Sequence, residues 1–149
     1  MKKSLFIIIL IYIFASSIGY TQNKAKSDLC VYNEKLMVGT WKMDTIYLKE
    51  NINLGDYKEL YDQKFRELKD STVFYFRNDY TYERVAKGQS TKGTWSISND
   101  GTLVIVKMIG KEAEEKSRIL ELTKTNLVMS PMSESSNSKV VMHKVIDNE

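Results

Sequence analysis

Cysteine, proline and glycine are all scarce in this 149-residue chain, which has one Cys, one Pro and seven Gly. A single cysteine excludes an intramolecular disulfide and a Cys-rich zinc site. Cys30 and His143 alone argue against a transition-metal centre. So little Pro and Gly excludes a collagen-like or linker-dominated chain, while 42% hydrophobic and 11% aromatic residues argue against disorder. Neither a Gly-rich phosphate cradle nor a Gly-x-Ser-x-Gly elbow is present. No residue qualifies as catalytic and no cofactor is implied. The length suits one domain with a real core.

One long apolar run exists, LFIIILIYIF from Leu5 to Phe14, behind the basic start Met1-Lys2-Lys3 and ahead of Ala15, Ser16, Ser17 and Gly19. That layout is a secretory signal peptide. The run falls well short of the roughly 20 apolar residues of a membrane-spanning helix. Cleavage after Thr21 or Gln22 leaves no stable membrane span and places the mature chain in the periplasm or outside the cell. A lipoprotein would carry a cysteine directly behind the run, whereas Cys30 follows Asp28-Leu29. It reads instead as a passive residue near the mature N-terminus. Removing residues 1–22 takes Lys2 and Lys3 from the 22 basic residues, leaving 20 against 19 acidic. With no basic stripe the chain is not a nucleic-acid binder.

Residues 23–35 read as an N-terminal extension and 36–147 as the folded domain. There the apolar pattern mostly has period two, predicting strands at 38–48, 71–77, 80–86, 93–98, 102–109, 117–123, 127–130 and 140–146. Asp100-Gly101 is the strongest hairpin signal. Glu112, Glu114 and Glu115 read as a solvated turn. Eight short strands with no crossover helix after Ser71 suggest a closed meander barrel or a sandwich. One segment differs: Leu54, Tyr57, Leu60, Tyr61, Phe65 and Leu68 recur at helical spacing. This predicts an amphipathic helix at 57–69, with Asp56 and Glu59 as a capping box and Asp62–Arg66 and Arg66–Asp70 pairs. Its aromatic face suits the open end of a barrel, as a fixed plug or a mobile lid.

Gly39-Thr40-Trp41 and Gly93-Thr94-Trp95 repeat a short motif at two strand starts. The first resembles the Gly-x-Trp opening of lipocalin-type barrels. Phe74-Tyr75-Phe76, the Asn78-Asp79 turn, Tyr80-Thr81-Tyr82, the second Gly-x-Trp and Leu122-Thr123 leading to Leu127 follow in the order of Bacteroidetes lipocalin-like domains. The resemblance spans about 36–146. It implies an all-β, eight-stranded antiparallel up-and-down barrel with one amphipathic helix between the first and second strands, an internal cavity and a small apolar ligand. The two motifs themselves mark strand starts where Gly39 and Gly93 let the chain bend and Trp41 drops into the interior, and the resemblance implies Lys144 stacked over Trp41.

Taking the two tryptophans as inward, alternation directs Trp41, Met43, Phe74, Phe76, Tyr80, Tyr82, Trp95, Ile97, Leu103, Ile105, Leu120, Leu122, Leu127, Met129, Val140 and Met142 to the interior. A packed core and a ligand pocket both use such a set. As a pocket, Phe74, Phe76, Tyr80, Tyr82, Arg84, Trp95, Leu103 and Ile105 line the site. Arg84 either sits in water at the rim or meets an acidic amphiphile such as a fatty acid, because a buried unpaired charge is very costly. The first expectation is therefore an exported carrier of a small hydrophobic or amphiphilic molecule. The alternative is a protein-binding or inhibitor module with a filled barrel, working through loops such as 131–138, with its protein partner unknown.

Overall fold

A computed structural model describes residues 25–47, 55–132 and 138–146, so the expected signal peptide and most of the 131–138 loop lie outside the described residues. Eight strands follow in chain order: β1 (Gly39–Tyr47), β2 (Thr72–Phe76), β3 (Thr81–Ala86), β4 (Gln89–Ile97), β5 (Leu103–Met108), β6 (Glu114–Leu122), β7 (Asn126–Pro131) and β8 (Lys139–Lys144). Each pairs antiparallel with its neighbour, and β8 returns to pair with β1, closing an up-and-down barrel. Closure satisfies the backbone of what would otherwise be two edge strands.

Helix α1 (Asp28–Met37) precedes the barrel, within the segment read as an extension. Ser27 caps it, its hydroxyl accepting from the Cys30 amide at 3.1 Å, and Asp28 and Lys35 suit the two ends of the helix dipole. Cys30, Asn33 and Met37, spaced by three and four residues, form its buried face. Helix α2 (Lys58–Ser71) lies between β1 and β2 after a 3-10 turn (Gly55–Tyr57). The expected capping box is absent: Asp56 belongs to that turn, and Tyr57 caps the helix without a side-chain bond. Its ion pairs are Lys58–Asp62 and Lys64–Glu67 rather than the expected ones through Arg66. At its end the Ser71 and Thr72 hydroxyls donate to the Glu67 and Leu68 carbonyls, each at 2.6 Å, which fixes the bend into β2.

Most of the expected interior is there. Trp41, Met43, Phe76, Tyr82, Trp95, Ile97, Leu127 and Met142 are all at most 7% exposed. Two strands depart from simple alternation. On β5 the buried residues are Val104, Val106 and Met108, not Leu103 and Ile105. The turn decides this. Asp100 accepts from the Ser98 and Thr102 hydroxyls and the Thr102 amide, while the Ser98 amide bonds Leu103. Ile97 therefore faces Val104 and Trp95 faces Val106, so Leu103 and Ile105 turn outward. On β6 the register against β7 shifts between Ile119 and Glu121. This bulge places Ile119 and Leu122 against the core and leaves Leu120 46% exposed. β4 and β6 also begin earlier than expected, so Glu114 and Glu115 are exposed strand residues rather than a turn. Their ladders are backbone-made, and a polar strand start leaves no alternation to read.

Candidate functional site

The barrel has two unlike ends. At the end where β1 begins, α1 packs on β4 and β6 and closes the barrel. The Ser27 amide donates to Asn99 O and the Asn33 side chain to Gly101 O, both at 2.9 Å. The Trp41 indole donates to Met37 O at 2.8 Å. Gly101 has φ +82°, and a Cβ there would lie 2.7 Å from Leu29 Cγ and 2.8 Å from Cys30 N. One glycine thus makes the hairpin turn and admits the helix. Cys30 is 0% exposed, and burial pushes its thiol pKa up, the reverse of an activated cysteine.

Lys144 finishes this end. Its Nζ donates to Leu36 O and Val38 O, each at 2.7 Å, and sits 4.9 Å from the Trp41 ring centroid. Burial lowers its pKa, while the two carbonyls and the ring hold the ammonium in place. A Cβ on Gly39 would come within 3.0 Å of Lys144 Cε. Gly93 is a close-approach site of a different kind, since a Cβ would lie 2.2 Å from Lys107 O on the neighbouring strand.

Three proposed site aromatics form one cluster above this floor. Phe76 lies 5.2 Å from Tyr82 and 5.7 Å, edge to face, from Trp95, whose indole donates to Arg77 O at 2.9 Å. Tyr80 is not part of the interior. It lies in the turn before β3 at φ +63°, 42% exposed, with its ring outside the barrel against α1. Leu103 and Ile105 drop out of the lining by the β5 register described above.

At the other end the interior loosens. Phe74, Ile46, Ile119, Met129 and Val140 pack on the core but remain half-buried. Helix α2 packs on β1 and β3 and contributes Phe65, yet none of its residues is buried. Glu67 tethers it to Lys87 in the β3–β4 turn at 3.1 Å. Arg84 pairs across β2 with Phe74 and is two residues from Tyr82 on the same strand face. Among the described residues the Arg84 side chain makes no hydrogen bond or ion pair. The Tyr82 hydroxyl likewise has no hydrogen bond, yet no fully enclosed side-chain polar atom of the described residues lacks a partner. The hydroxyl therefore borders open space. Burial pushes its pKa up to about 12, Arg84 pulling down and Glu115 pushing up. Glu115 pairs with Val106 across the sheet, but its side chain is exposed and lies 3.6 Å from Lys111, which places it at the rim rather than in the interior. Phe65 was not among the expected site residues, because it was assigned to the helix alone.

His143 lies at the β1–β8 seam, its Nδ1 2.6 Å from Asp44, both side chains more than two-fifths exposed. The described residues hold no group of three metal-capable side chains. No helix among them is long and apolar enough to cross a membrane.

An eight-stranded up-and-down barrel, shut at one end and loosely covered at the other, is a ligand-binding type of domain. Residues 37–129 match the lipocalin-like domain family, and the chain belongs to that family. Its fold is similar to that of a DUF4847-family protein from Bacteroides vulgatus, with TM-score 0.53 and 13% identity over 75% of this chain and 96% of that one. No curated protein matches the chain.

Proposed function

We propose that this protein is an exported carrier that holds a small anionic amphiphile, of fatty-acid type, in the half of the barrel away from α1. The carrying observation is the pair of inward polar groups, the Arg84 guanidinium and the Tyr82 hydroxyl, which have no hydrogen-bond partner among the described residues and stand amid an apolar lining. A carboxylate entering beside Phe74 supplies what both lack, while its chain packs against Phe74, Met129 and Val140. Phe76, Tyr82 and Trp95 form the bottom of the site and Trp41 the floor beneath it. Export rests on the signal-peptide pattern of residues 1–22.

The test is binding of dodecanoate and dodecanol, two chains differing in the head group. Arg84→Ala weakens dodecanoate by about tenfold or more, the usual worth of a charge-assisted hydrogen bond, and leaves dodecanol within about twofold. Equal losses for both remove the anchor role. Native mass spectrometry of protein purified from a cell envelope without detergent supplies the second arm. A bare mass, unchanged by a fatty-acid and lipid panel, overturns the carrier reading and moves attention to the loops.

A further inference from the structure

We propose that the groove between α1 and the β2–β3 turn, outside the closed end of the barrel, is a binding site for a small alkylammonium cation, with Lys26 as its resident competitor. The proposal does not depend on the carrier reading, because the groove shares only Trp95 with the residues of that site. It is a cavity of about 260 Å³ whose apolar wall is Val31, Val38, Tyr80 and Trp95 and whose polar edge carries Glu34 and Lys35. That volume is just under the usual range for small-molecule pockets.

The structure already displays an ammonium in this place. Lys26 Nζ pairs with the Glu34 carboxylate and stands 5.4 Å from the Tyr80 ring centroid. Glu34 is well placed to hold a cation, its side chain being only 13% exposed and its second oxygen 3.5 Å from the Tyr80 hydroxyl. Tyr80 is held for this task in a backbone conformation that side chains other than glycine seldom adopt, at φ +63°. Its ring leans on Trp95 with centroids 5.4 Å apart, which presents one aromatic face outward beside a carboxylate. Aromatic face plus carboxylate is the chemistry that recognises ammonium groups. Lys26 itself is 45% exposed and precedes the Ser27 cap, so it can leave without unmaking α1. A free ligand adds what Lys26 cannot, an alkyl chain laid against Val31 and Val38. Lys35 at the same edge disfavours ligands with a second positive charge.

The experiment follows the two indole N–H resonances of the isotope-labelled mature protein during titration with hexylammonium at neutral pH, with hexanol as the uncharged comparison. Hexylammonium shifts the Trp95 signal and leaves Trp41, bonded to Met37 inside the barrel, as the fold control. Lys26→Ala tightens hexylammonium about tenfold by removing a tethered competitor, and Glu34→Gln weakens it about tenfold. An unmoved Trp95 signal overturns the proposal, as does hexanol binding as tightly as hexylammonium. Lys26→Ala without a gain overturns it too, provided the Trp41 signal shows an intact fold.

Discussion

The two ends of this barrel are built from the same kinds of residue and reach different results. At the α1 end, three backbone-directed bonds from Asn33, Trp41 and Ser27, two from Lys144, and a glycine cut away for the helix leave Trp41, Met37, Leu127 and Met142 at 0% exposure. At the α2 end the helix is more amphipathic, yet buries nothing completely and, among the described residues, is tied to the barrel by one exposed ion pair, Glu67–Lys87. Exposed ion pairs contribute about 0–1 kcal/mol each, so α2 is held much less firmly than α1. A helix is fixed by polar bonds to specific carbonyls and by shape, not by the strength of its apolar stripe. The firmly closed end keeps the fold, and the loosely covered end leaves Arg84 and Tyr82 beside open space.

Truncation separates the ends most sharply. Trp41→Ala destabilises the fold by about 3–5 kcal/mol, the cost of deleting a large buried aromatic. Phe65→Ala on α2 costs about 1 kcal/mol, because a half-exposed ring loses less burial. Urea unfolding of both variants checks this, and equal losses would erase the distinction between the ends.

An alkaline titration comes next in size. The folded protein keeps the Tyr82 proton up to about 12, whereas the unfolded chain loses it near the ordinary value of 10.0. Between these values the folded state binds more protons, so stability falls as pH rises, by about 3 kcal/mol over the window. Tyr82→Phe removes that slope. An identical pH dependence in the variant would show that the hydroxyl is as solvated in the folded chain as in the unfolded one.

Gly101→Ala costs about 1–2 kcal/mol of global stability, from the left-handed backbone and the clash with Leu29. Its local effect is sharper, since it lifts α1 from the hairpin and exposes Cys30. The rate of Cys30 labelling by a thiol reagent should rise severalfold while the far-ultraviolet circular dichroism of the barrel stays unchanged. A labelling rate equal to wild type would mean that α1 does not depend on this contact.

Much of the barrel was legible because its strands alternate cleanly around large residues. Trp41, Phe76, Tyr82, Trp95, Leu127 and Met142 all point inward as alternation requires, and the spacing of Tyr61, Phe65 and Leu68 marks α2. Helix α1 was missed because its buried face includes the polar Asn33, while Leu29, Val31 and Tyr32 lie exposed off that face. The pattern seen from outside is scrambled; Ser27 as cap and the spacing of Cys30, Asn33 and Met37 were the available signals. Leu103 and Ile105 were misplaced because turn length, not hydropathy, sets the β5 register when both faces are apolar. Tyr80 was misplaced because the strand stops one residue short and its backbone turns left-handed.

By itself, then, the sequence determined most of the strands, the helix between the first two and many of the residues that fill the closed half of the barrel. Those follow from periodicity and turn chemistry, which are local. Only the tertiary structure decided that α1 is a stopper, that Lys144 and Gly101 hold it, that β5 and β6 present Val104 and Ile119 inward, and that Arg84 and Tyr82 face the interior without a hydrogen-bond partner. Each of these depends on contacts between residues far apart in the chain, where close packing and hydrogen-bond geometry, rather than the preference of any one segment, select the arrangement.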